Sequence, residues 1–319
     1  MDTRYSFIRC IVFCTSVLLF GATGALVYGA TLPSGSFIVK PAKAEVTLSP
    51  GESKTVLLTL INGTPSPLSI DTTFEDIVSS SQKNPTDDPV KLLGKEHSAN
   101  SLKDLLSIPK ESFDLLSSKE VQIPVTITVP NNVRPGGRYG SVVFTFKTMG
   151  SSVSGQNVTI ESRLAVTLYV RIAGSVNEEG RLAAFGLFND AKTSRSPTGE
   201  NPLRFQVAFE NQGDVHLNPY GRLSVSNVVG APHSVIIDPW VVLPGATRMR
   251  EIDIIESLSP GYYTAHLELN RGYQDIVDTK EVKFWVLPSA FVGFIWFCGF
   301  IFIIWLIRRS LQLSKHAVL

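Results

Sequence analysis

The feature that most constrains this chain is an uncharged apolar run near its C-terminal end, Ser289–Ile307 (SAFVGFIWFCGFIFIIWLI), which holds no Asn, Gln or Pro. As a helix, its roughly 19 residues at 1.5 Å of rise span about the 30 Å hydrocarbon core of a bilayer. Trp285 and Pro288 precede it, Trp305 lies near its far end, and Arg308, Arg309 and Lys315 follow. Interfacial aromatics with a basic cluster on one flank are the marks of a spanning helix, and a soluble core helix of this length would carry a polar edge. The expectation is a single transmembrane helix over 288–307 and a basic cytoplasmic tail over 308–319. Everything before Pro288 then lies outside the membrane.

The N-terminal end fits that topology. Arg4 and Arg9 precede a short apolar run, Cys10–Ala22, and small residues follow at Gly24, Ala25, Gly29 and Ala30. This is the layout of a secretory signal peptide over 1–30, cleaved around Gly29 or Ala30. The alternative is an uncleaved signal anchor and a two-span protein. Either way the middle of the chain is exported and held at the cell membrane.

Composition narrows what that middle can be. The chain has 319 residues, so removing both apolar ends leaves room for two domains. A net charge of +1 argues for no nucleic-acid partner. Cys10 and Cys14 fall in the signal peptide and Cys298 in the span, so the exported region has no cysteine and must be held by its core alone. That favours a bacterial surface. The sequons Asn62-Gly63-Thr64 and Asn157-Val158-Thr159 are short enough to arise by chance.

The exported region reads as strand after strand. Lys54–Asn62 is apolar between turn signals. In Val121–Val129, residues Val121, Ile123, Val125, Ile127 and Val129 alternate with polar positions and with Pro124. Proline cannot donate to a ladder, so this strand is expected at an edge or a bulge. Arg134–Gly140 (RPGGRYG) reads as a tight turn leading into Ser141–Lys147, where Val142, Phe144 and Phe146 point inward. Arg163–Ile172 alternates again. Such patterning predicts antiparallel strands with one face on a core and one in water.

The segment 79–118 departs from this. It begins polar and turn-rich, then offers a helical stretch at Ser98–Ser107, with Ser98 or Asn100 to cap it and Leu102, Leu105 and Leu106 on one face. It is either a contact surface or a tolerated insertion.

After Gly174 the composition shifts, with a polar run at Lys192–Pro202. Strands are expected at Arg181–Phe188, Leu203–Glu210, Arg222–Ser226, Val235–Ile237, Met249–Ile254, Tyr263–Leu269 and Glu281–Val286. Thr55–Asn62 before Gly63 parallels Arg204–Asn211 before Gly213. Val121–Val129 with its Pro135-Gly136 turn and Tyr139 parallels Met249–Ile254 with Pro260-Gly261 and Tyr263. The fold class predicted is all-β: two tandem Ig-like antiparallel sandwiches, residues 31–175 and 176–287, each a copy of one module.

At these residues the chain resembles the WxL-interacting protein family of Gram-positive bacteria. The resemblance rests on the order of segments and on Leu48–Lys54 (LSPGESK), Ile127–Phe144, Phe209–Val225 and Val242–Arg248 (VLPGATR). It implies a first domain contacting peptidoglycan, a second engaging host or surface ligands, and a complex with secreted WxL-domain proteins at the wall. No acid pair or cluster in this chain is assigned to glycan.

Catalytic signatures are missing: no Gly-x-Ser-x-Gly elbow, Walker loop, Gly-x-Gly-x-x-Gly, His-Glu-x-x-His or Cys-x-x-Cys. Of the outer histidines His97, His216, His233 and His266, none has a second His within the spacing a local metal motif needs. His266 with Glu268 reads as a solvated strand face, and Asp214 with His216 as a polar loop or a ligand pair. Arg134 and Arg138 flank a turn and could meet an anionic polymer. No catalytic, cofactor or metal residue is assigned, and no cofactor is expected. Three functions follow. The first is a non-enzymatic, membrane-anchored surface protein binding cell-wall polymer or secreted surface proteins, where tethering raises the effective concentration of its partner. The second is an assembly factor completing a partner's sheet by strand addition, with the Pro124 strand as candidate edge. The third is an enzyme with an unrecognised site, for which Asp214–His216 is the first place to look.

Overall fold

The structure is a computed structural model. It describes residues 36–316 except 81, 83, 85, 149–151, 154–155, 158–160, 188–202, 228–229, 231, 256–257 and 287–288. The expected signal peptide over 1–30 lies outside the described residues, as does the polar run from 192 to 202.

The strands, in order, are β1 (Phe37–Lys40), β2 (Lys43–Leu48), β3 (Ser53–Asn62), β4 (Leu68–Ser79), β5 (Val90–Leu92), β6 (Leu106–Ser107), β7 (Ser112–Leu115), β8 (Glu120–Thr128), β9 (Gly136–Thr148), β10 (Ser152–Val153), β11 (Gln156–Asn157) and β12 (Glu161–Ile172). Then come β13 (Gly180–Leu187), β14 (Leu203–Asn211), β15 (Tyr220–Asn227), β16 (His233–Ile237), β17 (Thr247–Ile254), β18 (Gly261–Asn270) and β19 (Val277–Val286), followed by helix α1 (Ser289–His316). The all-β expectation holds.

Four sheets pair face to face around two cores. A sheet ordered β1-β3-β8-β6 packs on one ordered β2-β12-β9-β4-β5, with β7 also on β4. Between them lie Leu58, Leu60, Ile123, Ile127, Phe144, Leu168 and their neighbours. A sheet ordered β13-β14-β17 packs on β16-β15-β18-β19, over Phe205, Phe209, Leu223, Leu267 and others. Each fully buried Leu or Phe favours folding by about 1.5–3 kcal/mol relative to exposure. With no described cysteine but Cys298, this apolar burial is what holds the sandwiches.

The two sandwiches repeat one strand order. β1-β3-β8 corresponds to β13-β14-β17, and β4-β9-β12 to β15-β18-β19. One buried asparagine recurs at the same corner. Asn62, closing β3, donates from Nδ2 to the carbonyls of Ser66 and Leu115, while its Oδ1 accepts from the Thr64 amide. Asn211, closing β14, donates to Val215 and Val242 and accepts from the Gly213 amide. The backbones agree as well: Ser118 N–H donates to the Asn62 carbonyl and Gly245 N–H to the Asn211 carbonyl. Both donors sit in the left-handed region, Ser118 at φ 58° and Gly245 at φ 69°. A buried amide satisfied at both ends fixes where each strand stops and the crossing chain enters.

Several expectations need correction. The predicted helix over 98–107 is a single 3-10 turn, Lys103–Leu105, followed by β6. The cause is Asp76. Its buried carboxylate accepts the amides of Ser98, Leu102 and Lys103, which a helix would have needed for itself. Leu102 and Leu106 are buried, as the apolar face anticipated, but as plugs beneath a loop. The expected turn over 134–140 is shorter, because β9 already begins at Gly136. Pro124 makes no bulge: the ladder runs through Leu57–Pro124, and β6 covers only Thr126 and Ile127 on the other side. The edge reading holds there. β4 was not anticipated, because Asp71, Glu75 and Asp76 interrupt its apolar pattern. Finally, β9 and β12 turn only part of their second faces to water, Glu161 and Arg163 among the exposed residues. Tyr139, Val143 and Tyr169 on those faces are buried, and Tyr139 and Tyr169 join the core of the second sandwich.

Candidate functional site

The outer faces of β9 and β12 form a docked junction with the second sandwich, and His216 sits at its centre. The sequence places His216 in the loop between β14 and β15. There its backbone N–H donates to Tyr139 Oη at 2.7 Å, and its ring packs against Tyr139 and Tyr169 with centroids 5.6 Å from each. Its side chain is only 8% exposed, and Nε2 lies 3.9 Å from Glu45 Oε2. Nδ1 has no hydrogen-bond partner among the described residues. Burial pushes the His216 pKa down, against the opposing pull of Glu45. Burial likewise pushes the Tyr139 phenol up, so it stays a neutral acceptor for the His216 amide.

Further contacts lock the sandwiches together. Gly137 N–H donates to the Asp214 carbonyl at 3.1 Å, and Asp214 N–H to the Asn177 carbonyl at 2.9 Å. Asn218 Nδ2 donates to Glu45 Oε2 at 2.7 Å, across 173 residues of sequence. Met249 N–H reaches Gln82 Oε1 at 3.0 Å, from the segment 79–118. Gly213 passes so close to the connecting segment that a Cβ would lie 2.5 Å from the Asn177 carbonyl oxygen. Only glycine fits there without displacing backbone.

Beside the junction opens a cleft of about 230 Å³, lined by Glu45, Arg171, Glu178, His216, Asn218 and Gly272 among others. Its charges are already spent on one another. Arg171 Nη1 pairs with Glu178 Oε1 at 2.5 Å, and Lys43 pairs with Glu45 at 3.1 Å. Burial works to raise the Glu45 pKa, but hydrogen bonds from Lys43 and Asn218 outweigh it and the net shift is downward. The cleft therefore holds a neutral histidine beside an ionised carboxylate tied to two donors. A general base works best with its pKa near the operating pH, and a donor on each oxygen holds Glu45 shifted the other way.

The remaining candidates lie apart. Asp214 serves the junction through its backbone and through its carboxylate, which accepts the Asn177 amide at 3.3 Å. His266 bridges Glu268 and Glu281 at 3.5 and 3.3 Å on an exposed strand face. His97 meets Asp104 at 3.2 Å, both exposed. Arg138 folds back to the carbonyls of Gly137 and Arg134. Among the described residues, no group of three His, Cys, Asp or Glu side chains stands where it could hold a metal ion.

A strand edge that no sequence pattern announces is open among the described strands. The N-terminal segment switches sheets: β1 pairs with β3 at Thr59–Asn62, then β2 runs parallel to β12 at Thr167–Ile172. Each sheet edge is therefore half covered. On β12, residues 161–166 have no partner on the outer side among the described strands, while Leu164 and Val166 turn into the core. The β8 edge expected from the sequence is weaker, because Pro124 lies in its open part and removes a donor. The signal that could have found the β12 edge is the short β1–β2 pair, which covers neither sheet fully.

Helix α1 leaves bulky apolar side chains uncovered by protein, among them Phe294 at 61%, Phe297 at 62% and Phe300 at 63% exposed. Among the described residues, no helix is long and apolar enough to cross a membrane.

No protein-family model matches the chain, and neither does any curated protein. Among solved structures it is similar to the class 5 fimbriae chaperone CfaA, with TM-score 0.35 and 12% identity over 79% of this chain and 100% of that one. It is similar to the Salmonella enterica SafA pilin–SafB chaperone complex, with TM-score 0.36 and 11% identity over 80% and 99%. It is also similar to the CsuC–CsuE chaperone–tip adhesion subunit complex of Acinetobacter baumannii, with TM-score 0.35 and 9% identity over 78% and 98%. Likenesses this slight carry no functional argument.

Proposed function

We propose that this is a non-enzymatic, membrane-anchored binding protein that holds two docked sandwiches outside the bilayer and takes an extended segment of a partner protein onto the β12 edge by strand addition. The observation that carries the reading is the half-covered edge at residues 161–166. Its backbone groups, unpaired among the described strands, would give a partner strand main-chain hydrogen bonds. The anchoring half rests on the uncharged run Ser289–Ile307 and the uncovered phenylalanines of α1, which need an apolar surrounding. In this reading the chain divides as the sequence suggests, with residues 31–175 and 176–287 as domains outside and 308–319 inside. The junction sets the direction in which the edge is presented.

The resemblance to WxL-interacting proteins makes a secreted WxL-type protein the first partner to test. Peptidoglycan has less support, because the cleft spends its charges internally. The test is a photocrosslinker at Arg163 in intact cells, then hydrogen exchange on the captured complex. Slowed exchange at 161–166 is expected. A partner that leaves those amides exchanging as in the free chain contradicts strand addition.

A further inference from the structure

We infer that the end of the second sandwich nearest α1 is a lipid-contacting foot, built from Ile255, Tyr262 and Trp285, that rests in the headgroup layer of the bilayer holding α1. The inference rests on the anchoring reading above. Two strand ends pair there and a third is joined to them by a short connection. β19 finishes at Val286 opposite Gly261, where β18 begins, and the chain from β17 turns through Ile255 on its way into β18. Trp285 is four residues from Ser289, so the chain holds them at most about 14 Å apart.

This end leaves large apolar side chains in the open. Ile255 is 86% exposed, Trp285 61% and Tyr262 41%. Tyr262 and Trp285 are direct cross-strand partners with ring centroids 5.0 Å apart, so they present one rigid aromatic surface. Trp240, the other tryptophan of the sandwiches, is buried. Amphipathic aromatics gain most where one edge meets hydrocarbon and the polar edge meets headgroups and water. The occupant is argued from continuity: the surface adjoins the helix whose own apolar side chains are uncovered. A foot joined to the anchor would restrain the tilt of both docked sandwiches, and so the height at which the β12 edge is carried.

The test uses the full chain with fluorotryptophan, reconstituted in phosphatidylcholine nanodiscs, with each fluorine resonance assigned by a single Trp→Phe substitution. A gadolinium-chelate headgroup lipid should broaden Trp285 and leave Trp240 sharp. A spin label near the acyl-chain end should broaden Trp296. Ile255→Asn with Tyr262→Ser should cut the Trp285 broadening at least twofold while Trp296 is unchanged. If Trp296 is broadened but Trp285 stays as sharp as Trp240, the foot is wrong and the anchor stands. Undiminished Trp285 broadening in the double variant also overturns the foot, leaving Trp285 as a lone interfacial residue. If Trp296 shows no broadening, anchor and foot both fall.

Discussion

The first and second sandwiches share a strand order and an asparagine corner, yet they differ in what lies between the corner strands. In the second, β15 leads through the short strand β16 and a brief loop back to Gly245 and β17. In the first, β4 leads into β5, a 3-10 turn, β6 and β7 before Ser118 and β8. The framework tolerates this longer route because one residue gathers it in. Asp76 holds the amides of Ser98, Leu102 and Lys103, and so seats Leu102 against β9. The module is therefore specified twice by the same corner and elaborated once by a buried carboxylate.

The sharpest way to break the equivalence is at the corners. Asn62→Ala and Asn211→Ala each strand two buried carbonyls and an amide, so each should cost roughly 2–4 kcal/mol in urea unfolding. A cost below about 1 kcal/mol at either site would show that the two corners are not the same device. Asp76→Ala should come next, at roughly 2–3 kcal/mol. Hydrogen-exchange protection should then vanish over 98–107 and persist in β14 and β18. Loss in both sandwiches would mean that Asp76 supports more than its own loop.

The junction is where the two halves stop being independent. Tyr139→Phe removes the acceptor of the His216 amide and should cost about 1 kcal/mol, with the sandwiches unfolding in separable steps. The same place sets a pH response. The folded-state pKa of His216 is depressed, so the unfolded chain binds the extra proton first. Stability from this site is complete above about pH 6.5, the ordinary histidine value, and is lost as pH falls below it. Denaturation midpoints at pH 7.5 and 5.5 should diverge in the parent chain and converge in His216→Gln. The smallest effect sharpens the corner comparison. Ser118 occupies the left-handed position that Gly245 fills in the other copy, so Ser118→Gly should stabilise the chain by roughly 0.5–1 kcal/mol. No gain in thermal midpoint would mean that the Ser118 hydroxyl or its neighbours repay the strain.

Much of the framework was legible in the sequence because period-two alternation is local: Val121–Val129, Arg163–Ile172 and Leu203–Glu210 each declare their buried faces. The paired Asn–Gly strand ends also pointed to the repeat. What was hidden depends on distant partners. The apolar spacing of Leu102 and Leu106 reads as helical until Asp76, from another strand, takes the amides. β4 reads as broken because Asp71 and Glu75 point away from its core face, toward Lys147 and Arg163. His216 looks like a loop histidine until Glu45, Tyr139 and Tyr169 arrive from the other sandwich. The open β12 edge depends on how far β2 reaches, which no spacing within β12 records.

Surface display of the sandwiches depends on the orientation of the chain about the bilayer. A protease applied to intact cells carrying an epitope tag after Leu319 tests it directly. The sandwiches should be digested, and a small fragment containing residues 289–319 and the tag should survive inside. Loss of the tag with the sandwiches, or a full-length chain that resists digestion until the cells are opened, would contradict it.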